Sequence, residues 1–249
     1  RIQTTIRCMI EIEQLTKRYG DLTAVDRLSL TVEAGAILGL VGPNGSGKTT
    51  TLRCLAGILP ATEGVLRVDG YDLEENPVEA KRRLAFVPDE PRLFEHLTAW
   101  DHLTIHSRLY HVADGAERAA ALLEELGLED RRDSFPSELS RGMKQKLMTA
   151  MALLHRPRAL IFDEPLTGLD PRAMRQTKEM IVAAGEQGAA VIVSSHLLSL
   201  VEEISARILI LRQGRKVVEG TLSEIRASLP DLEPDADLEE IFLKATEDR

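Results

Sequence analysis

Two periodicities divide the chain. Met9–Leu15, read Met-Ile-Glu-Ile-Glu-Gln-Leu, alternates apolar and polar side chains, the spacing of a strand with one buried face. After a Gly20-Asp21 turn the alternation resumes over Ala24–Val32 and stops at Gly35. Ala36–Val41 is continuously apolar, as a central strand covered on both faces should be. A glycine-rich loop follows, then a predicted helix from Lys48 to about Leu59, broken by Pro60 and Gly64, and short strands at Val65–Val68 and Leu84–Val87. From Asp89 to Arg156 the spacing becomes helical. Thr98-Ala-Trp-Asp101 has the form of a capping box opening a helix to Tyr110. Gly115–Leu126 is stopped by Gly127, and Ser140–His155 ends before Pro157. Strands return at Ala159–Phe162, Ala190–Ser194 and Arg207–Leu211, with helices at Pro171–Glu186 and His196–Glu203 between them. Gln213-Gly214 turns the chain into Lys216–Val218, and Thr221-Leu-Ser-Glu224 is a second capping box. An acidic loop, Pro230–Asp237, precedes a closing helix at Leu238–Ala245.

This order predicts an α/β fold: an open, mostly parallel sheet, an antiparallel β subdomain near the start and an inserted α-helical subdomain. Residues 1–8 read as an N-terminal extension or cloning remnant. Residues 9–220 read as one domain, with a core of 9–88 and 157–220 around helical residues 89–156, and 221–249 as a helical tail. The length of 249 residues suffices for one large core, and 43% hydrophobic with 29% charged residues is ordinary for a globular protein. Lys+Arg at 31 against Asp+Glu at 40 leaves a net charge of −9, which disfavours general nucleic-acid binding. Cys8 and Cys54 form no metal-type or disulfide pattern, and no apolar run reaches the length of a membrane span.

Chemistry concentrates in Gly42-Pro43-Asn44-Gly45-Ser46-Gly47-Lys48-Thr49, which fits G-x-x-x-x-G-K-[ST] between an apolar strand and a helix. Glycines let the backbone approach a phosphate, and successive N–H groups at a helix start form an anion site. Lys48 supplies charge to the terminal phosphates, Thr49 an oxygen for Mg2+, and Thr50 a hydrogen bond to phosphate. Ala159–Phe162 runs into Asp163 and Glu164, two carboxylates where α/β sheets bind ligands. Asp163 is expected to hold Mg2+, and Glu164 to orient or deprotonate water. Val-Ser-Ser195-His196 ends another strand at the same edge, with His196 placed to sense or position the γ-phosphate.

With Leu139-Ser140-Arg141-Gly142-Met143 opening the third insertion helix, the ordered motifs over about Met9–Gly220 resemble the ATP-binding subunits of ABC transporters. The resemblance implies a P-loop NTPase core with ATP and Mg2+. It implies that Ser140 and Gly142 hold the γ-phosphate of ATP bound to a second ATP-binding subunit. Arg141 stands where that family has its first signature glycine. Asp89, after Phe86-Val87-Pro88, stands in place of the family's usual glutamine and offers an oxygen to Mg2+ with added charge. Tyr19 resembles the aromatic that stacks on adenine, and Leu166-Thr167-Gly168-Leu169-Asp170 the loop that meets the other subunit's phosphate site. Catalysis falls to Glu164, His196 and Lys48. The implied activity is ATP hydrolysis driving head-to-tail dimerisation against separate membrane permease subunits, at the cytoplasmic face of the membrane and with no nucleic acid. The tail Leu238-Glu-Glu-Ile-Phe-Leu-Lys-Ala resembles exporter subunits. Leu93, Phe94, Leu97, Trp100, Leu103, Leu109 and Tyr110 either dock the permease or form the helical subdomain's own core. The alternative is an ABC-type ATPase without a membrane partner. A guanine-reading segment is missing, since Thr177-Lys178-Glu179-Met180 lacks the required aspartate.

Overall fold

The computed structural model describes residues 8–228 and 236–246, so residues 1–7 of the expected N-terminal extension and most of the acidic loop at 230–237 lie outside the described residues, while Cys8, expected in that extension, already belongs to the first strand. Strand β1 (Cys8–Tyr19) pairs antiparallel with β2 (Leu22–Glu33) and with β4 (Glu63–Val68), and β4 pairs with the short β5 (Tyr71–Asp72). These make a four-stranded sheet in the order β2-β1-β4-β5. Both long strands outrun their predicted bounds, because their register shifts let a pairing broken by bulges continue past the alternation.

The second sheet has six strands in the order β10-β9-β3-β8-β7-β6. Strands β3 (Ile37–Val41), β6 (Leu84–Val87), β7 (Ala159–Asp163), β8 (Ala190–Ser194) and β9 (Arg207–Arg212) run parallel, and β10 (Arg215–Gly220) closes the edge antiparallel to β9. Every residue of β3, β7 and β8 is buried, which accounts for their unbroken apolar runs. Because β8 lies between β3 and β7, the loops leaving all three strands share one edge of the sheet.

Helix α1 (Lys48–Leu55) is shorter than predicted, turning out at Gly57, whose positive φ of 63° ends a helix readily. Helix α2 (Pro77–Arg82) was not predicted, although Pro77 in its first turn is a start signal. Helices α3 (Ala99–Leu109), α4 (Gly115–Glu125) and α5 (Arg141–Leu154) pack around Leu103, Leu123, Leu126, Leu147 and Leu154. The capping box at Thr98 forms as predicted: Asp101 N donates to Thr98 Oγ1 at 3.1 Å and Thr98 N donates to Asp101 Oδ2 at 3.0 Å. Helix α6 (Pro171–Glu186) covers the face of the large sheet around Phe162 and Val191. Fully burying a side chain such as Phe162 stabilises by roughly 1.5–3 kcal/mol. Helices α7 (Leu198–Ile204), α8 (Leu222–Ser228) and α9 (Leu238–Thr246) close a fourth cluster over Val41 and Ile210. Among the described residues no helix is long and apolar enough to cross a membrane.

Candidate nucleotide site

The glycine-rich loop joins β3 to α1. Gly47 sits at the α1 N-cap with φ 104°, and a Cβ there would lie 2.6 Å from the Ala24 carbonyl oxygen, so the conformation and the space both demand glycine. Pro43, Asn44 and Gly45 are exposed at the loop tip, whereas Ser46 and Lys48 are buried. Ser46 Oγ is buried without a hydrogen-bond partner, the orphaned polar atom that a phosphate oxygen would satisfy. Lys48 Nζ donates to the Gly42 carbonyl at 2.6 Å and lies 3.4 Å from that of Pro43. Burial pulls its pKa below the ordinary lysine value, while the charges of Glu164 and Asp163 oppose that shift. The loop thus presents glycine-spaced backbone, the start of α1 and a desolvated cation in one place, with Thr49 and Thr50 half-buried just behind it.

Asp163 ends β7, buried, and its register partner across the ladder is Ser194 at the end of β8. Ser194 Oγ donates to Asp163 Oδ1 at 2.7 Å, and Thr49 Oγ1 donates to the same oxygen at 3.3 Å. Thr49 and Asp163 form a hard oxygen pair that suits Mg2+. Glu164 follows with φ 51°, unusual for a residue with a Cβ and costing about 1–3 kcal/mol. Two bonds hold it there: its N–H donates to the Ser194 carbonyl at 3.1 Å and to Ser194 Oγ at 3.2 Å. Its carboxylate accepts the backbone N–H of His196 at 3.2 Å, and His196 Nδ1 lies 2.7 Å from the same oxygen. Helix α7 starts at Leu198, two residues after the predicted His196. Ser194 was missed in the sequence; the available signal was a lone hydroxyl ending an otherwise apolar strand.

The remaining expected residues contact other groups. Tyr19 ends β1 half-exposed, with Lys17 Nζ 5.1 Å from its ring centroid. Ser140 caps α5 with its hydroxyl accepting the Met143 N–H at 3.2 Å, and is exposed. Gly142 packs near Leu169. Asp170 caps α6 by accepting the Ala173 N–H at 2.9 Å, and hydrogen bonds from the Ala173 and Arg172 backbone hold its carboxyl below the usual carboxylate range. The Asp89 carboxylate is joined to Arg141, with Nη2 to Oδ1 at 3.1 Å.

A loop, lysine and carboxylate set on a parallel sheet of this order occurs in a known family, and its ABC transporter profile matches residues 25–167, more than half of the chain. The chain belongs to the ABC transporter family. It is similar to the linearmycin resistance ATP-binding protein LnrL of Bacillus subtilis, 35% identical over 89% of this chain and 72% of that one. It is also similar to the Nod factor export ATP-binding protein I of Paraburkholderia xenovorans, 37% identical over 94% of this chain and 76% of that one. A solved ATP-binding subunit of an ABC transporter superposes with a TM-score of 0.91 at 33% identity, covering 96% of this chain and all of that one. The protein is therefore the ATP-binding subunit of an ABC transporter and an ATPase, with the P-loop NTPase fold expected from its motifs.

Proposed function

We propose that this ABC subunit binds Mg-ATP between two copies arranged head to tail, or between this chain and a second ATP-binding subunit, and couples their closing and reopening to separate transmembrane permease subunits. The carrying observation is a contrast between helix starts. Lys48, Thr49, Asp163, Glu164 and His196 gather at the start of α1, while Ser140 and Gly142 stand at the start of α5, where Ser140 is exposed. Both starts are anion-binding geometry, but the first carries the buried Lys48 and Asp163, whereas the cation at the second, Arg141, is half exposed. Two copies placed so that each lends its α5 tip to the other would complete two sites.

In each site the N–H groups of Asn44–Thr50 and the Lys48 ammonium bind the phosphates, Tyr19 stacks on adenine, and Thr49 with Asp163 holds Mg2+. When bound, that ion would supply positive charge against the phosphates. Glu164 accepts a proton from the attacking water, and His196 fixes that carboxylate through Nδ1. The loop Leu166–Asp170 sits beside the α5 tip through the Gly142–Leu169 contact and would face the neighbouring copy. The permeases would hold the chain at the cytoplasmic face of the membrane. Phe94, Ile105 and Leu109 are exposed apolar residues, and Ile105 and Leu109 stand four apart on α3, which supports a permease contact there. Leu103 and Trp100 belong instead to the helical core, with Arg132 stacked 3.6 Å from the Trp100 ring centroid. The export direction is supported by the relatives named for Nod factor export and drug resistance.

The test is sedimentation of the Glu164→Gln chain with ATP: a dimer with ATP and a monomer with ADP is expected, and a monomer under both would refute the head-to-tail arrangement. Affinity purification from membranes should recover integral membrane subunits, and recovery of soluble partners alone would refute the permease assignment.

A further inference from the structure

The two positions at which the chain departs from its family's motifs, Asp89 and Arg141, are bonded to each other. Arg141 is the first residue of α5, and its Nη2 donates to Asp89 Oδ1 at 3.1 Å, with the two side chains 51% and 48% exposed. The Arg141 stem runs across the Leu166–Asp170 loop, where a Cβ on Gly168 would lie 3.4 Å from its Cδ and Nε. One turn further along the same face, Gln145 Nε2 donates to the Pro88 carbonyl at 3.1 Å. Helix α5 therefore grips the Pro88-Asp89 segment at two points of different character. Gln145 is itself buried, 2% exposed. The Arg141 contact is half in water, where an ion pair contributes little and exchanges readily.

We propose that Arg141 is a positioning residue that trades partners. Its pair with Asp89 is surrendered to the terminal phosphate of the neighbouring copy's ATP when the α5 tip closes over it. The physical basis is competition for one guanidinium. Arg141 neighbours the Ser140 and Gly142 backbone that the phosphate would approach. A terminal phosphate carries more charge and more acceptor oxygens than one carboxylate, and it arrives in a site from which water is being expelled. Asp89 is then a restraint that opposes closing, and the Gln145 contact keeps the released segment attached to α5. This account rests on the head-to-tail reading above. It assigns Asp89 a role opposite in sign to direct Mg2+ ligation.

The test is an ATP titration of dimer formation by sedimentation in the 249-residue Glu164→Gln chain, with ADP as the control lacking a terminal phosphate. Arg141→Ala should raise the ATP concentration at half-dimerisation by about tenfold, the scale of a hydrogen bond to a charged group. Arg141→Lys should recover part of that loss. Asp89→Asn should lower the midpoint by about 2- to 5-fold, the scale of one exposed ion pair, and should leave ADP without effect. In the Asp89→Asn/Arg141→Ala chain the benefit of Asp89→Asn should vanish. The proposal is overturned if Asp89→Asn raises the midpoint, as loss of a Mg2+ ligand would, or if it shifts the midpoint equally with and without Arg141. A Glu164→Gln chain that binds ATP yet stays monomeric would overturn the head-to-tail reading and this one with it, an outcome separable from the others. Both substituted side chains are about half exposed, so the variants are expected to fold.

Discussion

The starts of α1 and α5 are two answers to the same electrostatic problem. Each ends an approach segment with unpaired N–H groups. At α1 no side chain caps the helix: the N-cap is a glycine in the left-handed region, the first helical residue is a buried lysine, and the loop before it carries a buried unpartnered hydroxyl. At α5 a serine side chain caps the helix and an exposed arginine follows it, paired to a carboxylate from another segment. The first end is fitted for a ligand by its own chain. The second is satisfied by its serine cap and a half-exposed ion pair. A helix start is therefore informative about binding only together with what already satisfies it.

The sharpest break of this comparison is at the carboxylate set that only the α1 side possesses. Glu164→Gln should lower steady-state ATP turnover by ~10²–10⁴-fold, the usual worth of a general base. Turnover near that of the unaltered chain would remove Glu164 from its role. Next in size is Ser194→Ala, which deletes the hydroxyl bonded to both Asp163 and the Glu164 N–H. Losing a hydrogen bond to a buried carboxylate should cost about 1.5–3 kcal/mol in urea denaturation, with a fall in kcat larger than the change in KM. An unchanged denaturation midpoint would mean that the ladder bond to the Ser194 carbonyl alone holds the Glu164 turn.

On the α5 side, Ser140→Ala should cost about 1 kcal/mol of stability through loss of the cap. It should also raise the ATP midpoint for dimerisation in the Glu164→Gln background while leaving nucleotide affinity of the dilute monomer alone. An equal loss of monomer affinity, read with a fluorescent ATP analogue, would merge the two helix starts into one site. The smallest effect is expected at Tyr19, where Tyr19→Ala should weaken ATP binding by about 2- to 10-fold if the ring stacks on adenine. GTP should then be bound almost as well as ATP is, because stacking discriminates bases poorly.

Much of this was legible in the sequence wherever the chemistry is local. The 42–49 loop, the capping boxes at Thr98 and Thr221, and the covered strands β3, β7 and β8 all depend on residues a few positions apart. Elements β5 and α2 escaped because two strand residues and six helical residues are too few to display a period. The end of α1 was overrun because apolar Ile58 and Leu59 continue the helical spacing past Gly57.

The sequence by itself determined the glycine-rich loop pattern and the family that carries it, since consecutive N–H groups and their glycines are a property of one short stretch of chain. Only the tertiary structure decided that Ser194 braces the two carboxylates and that Asp89 belongs to Arg141, 52 positions away. Those pairings are set by strand order and helix packing. Each partner on its own is an ordinary polar residue, and nothing along the chain marks which distant group its hydrogen bond will find.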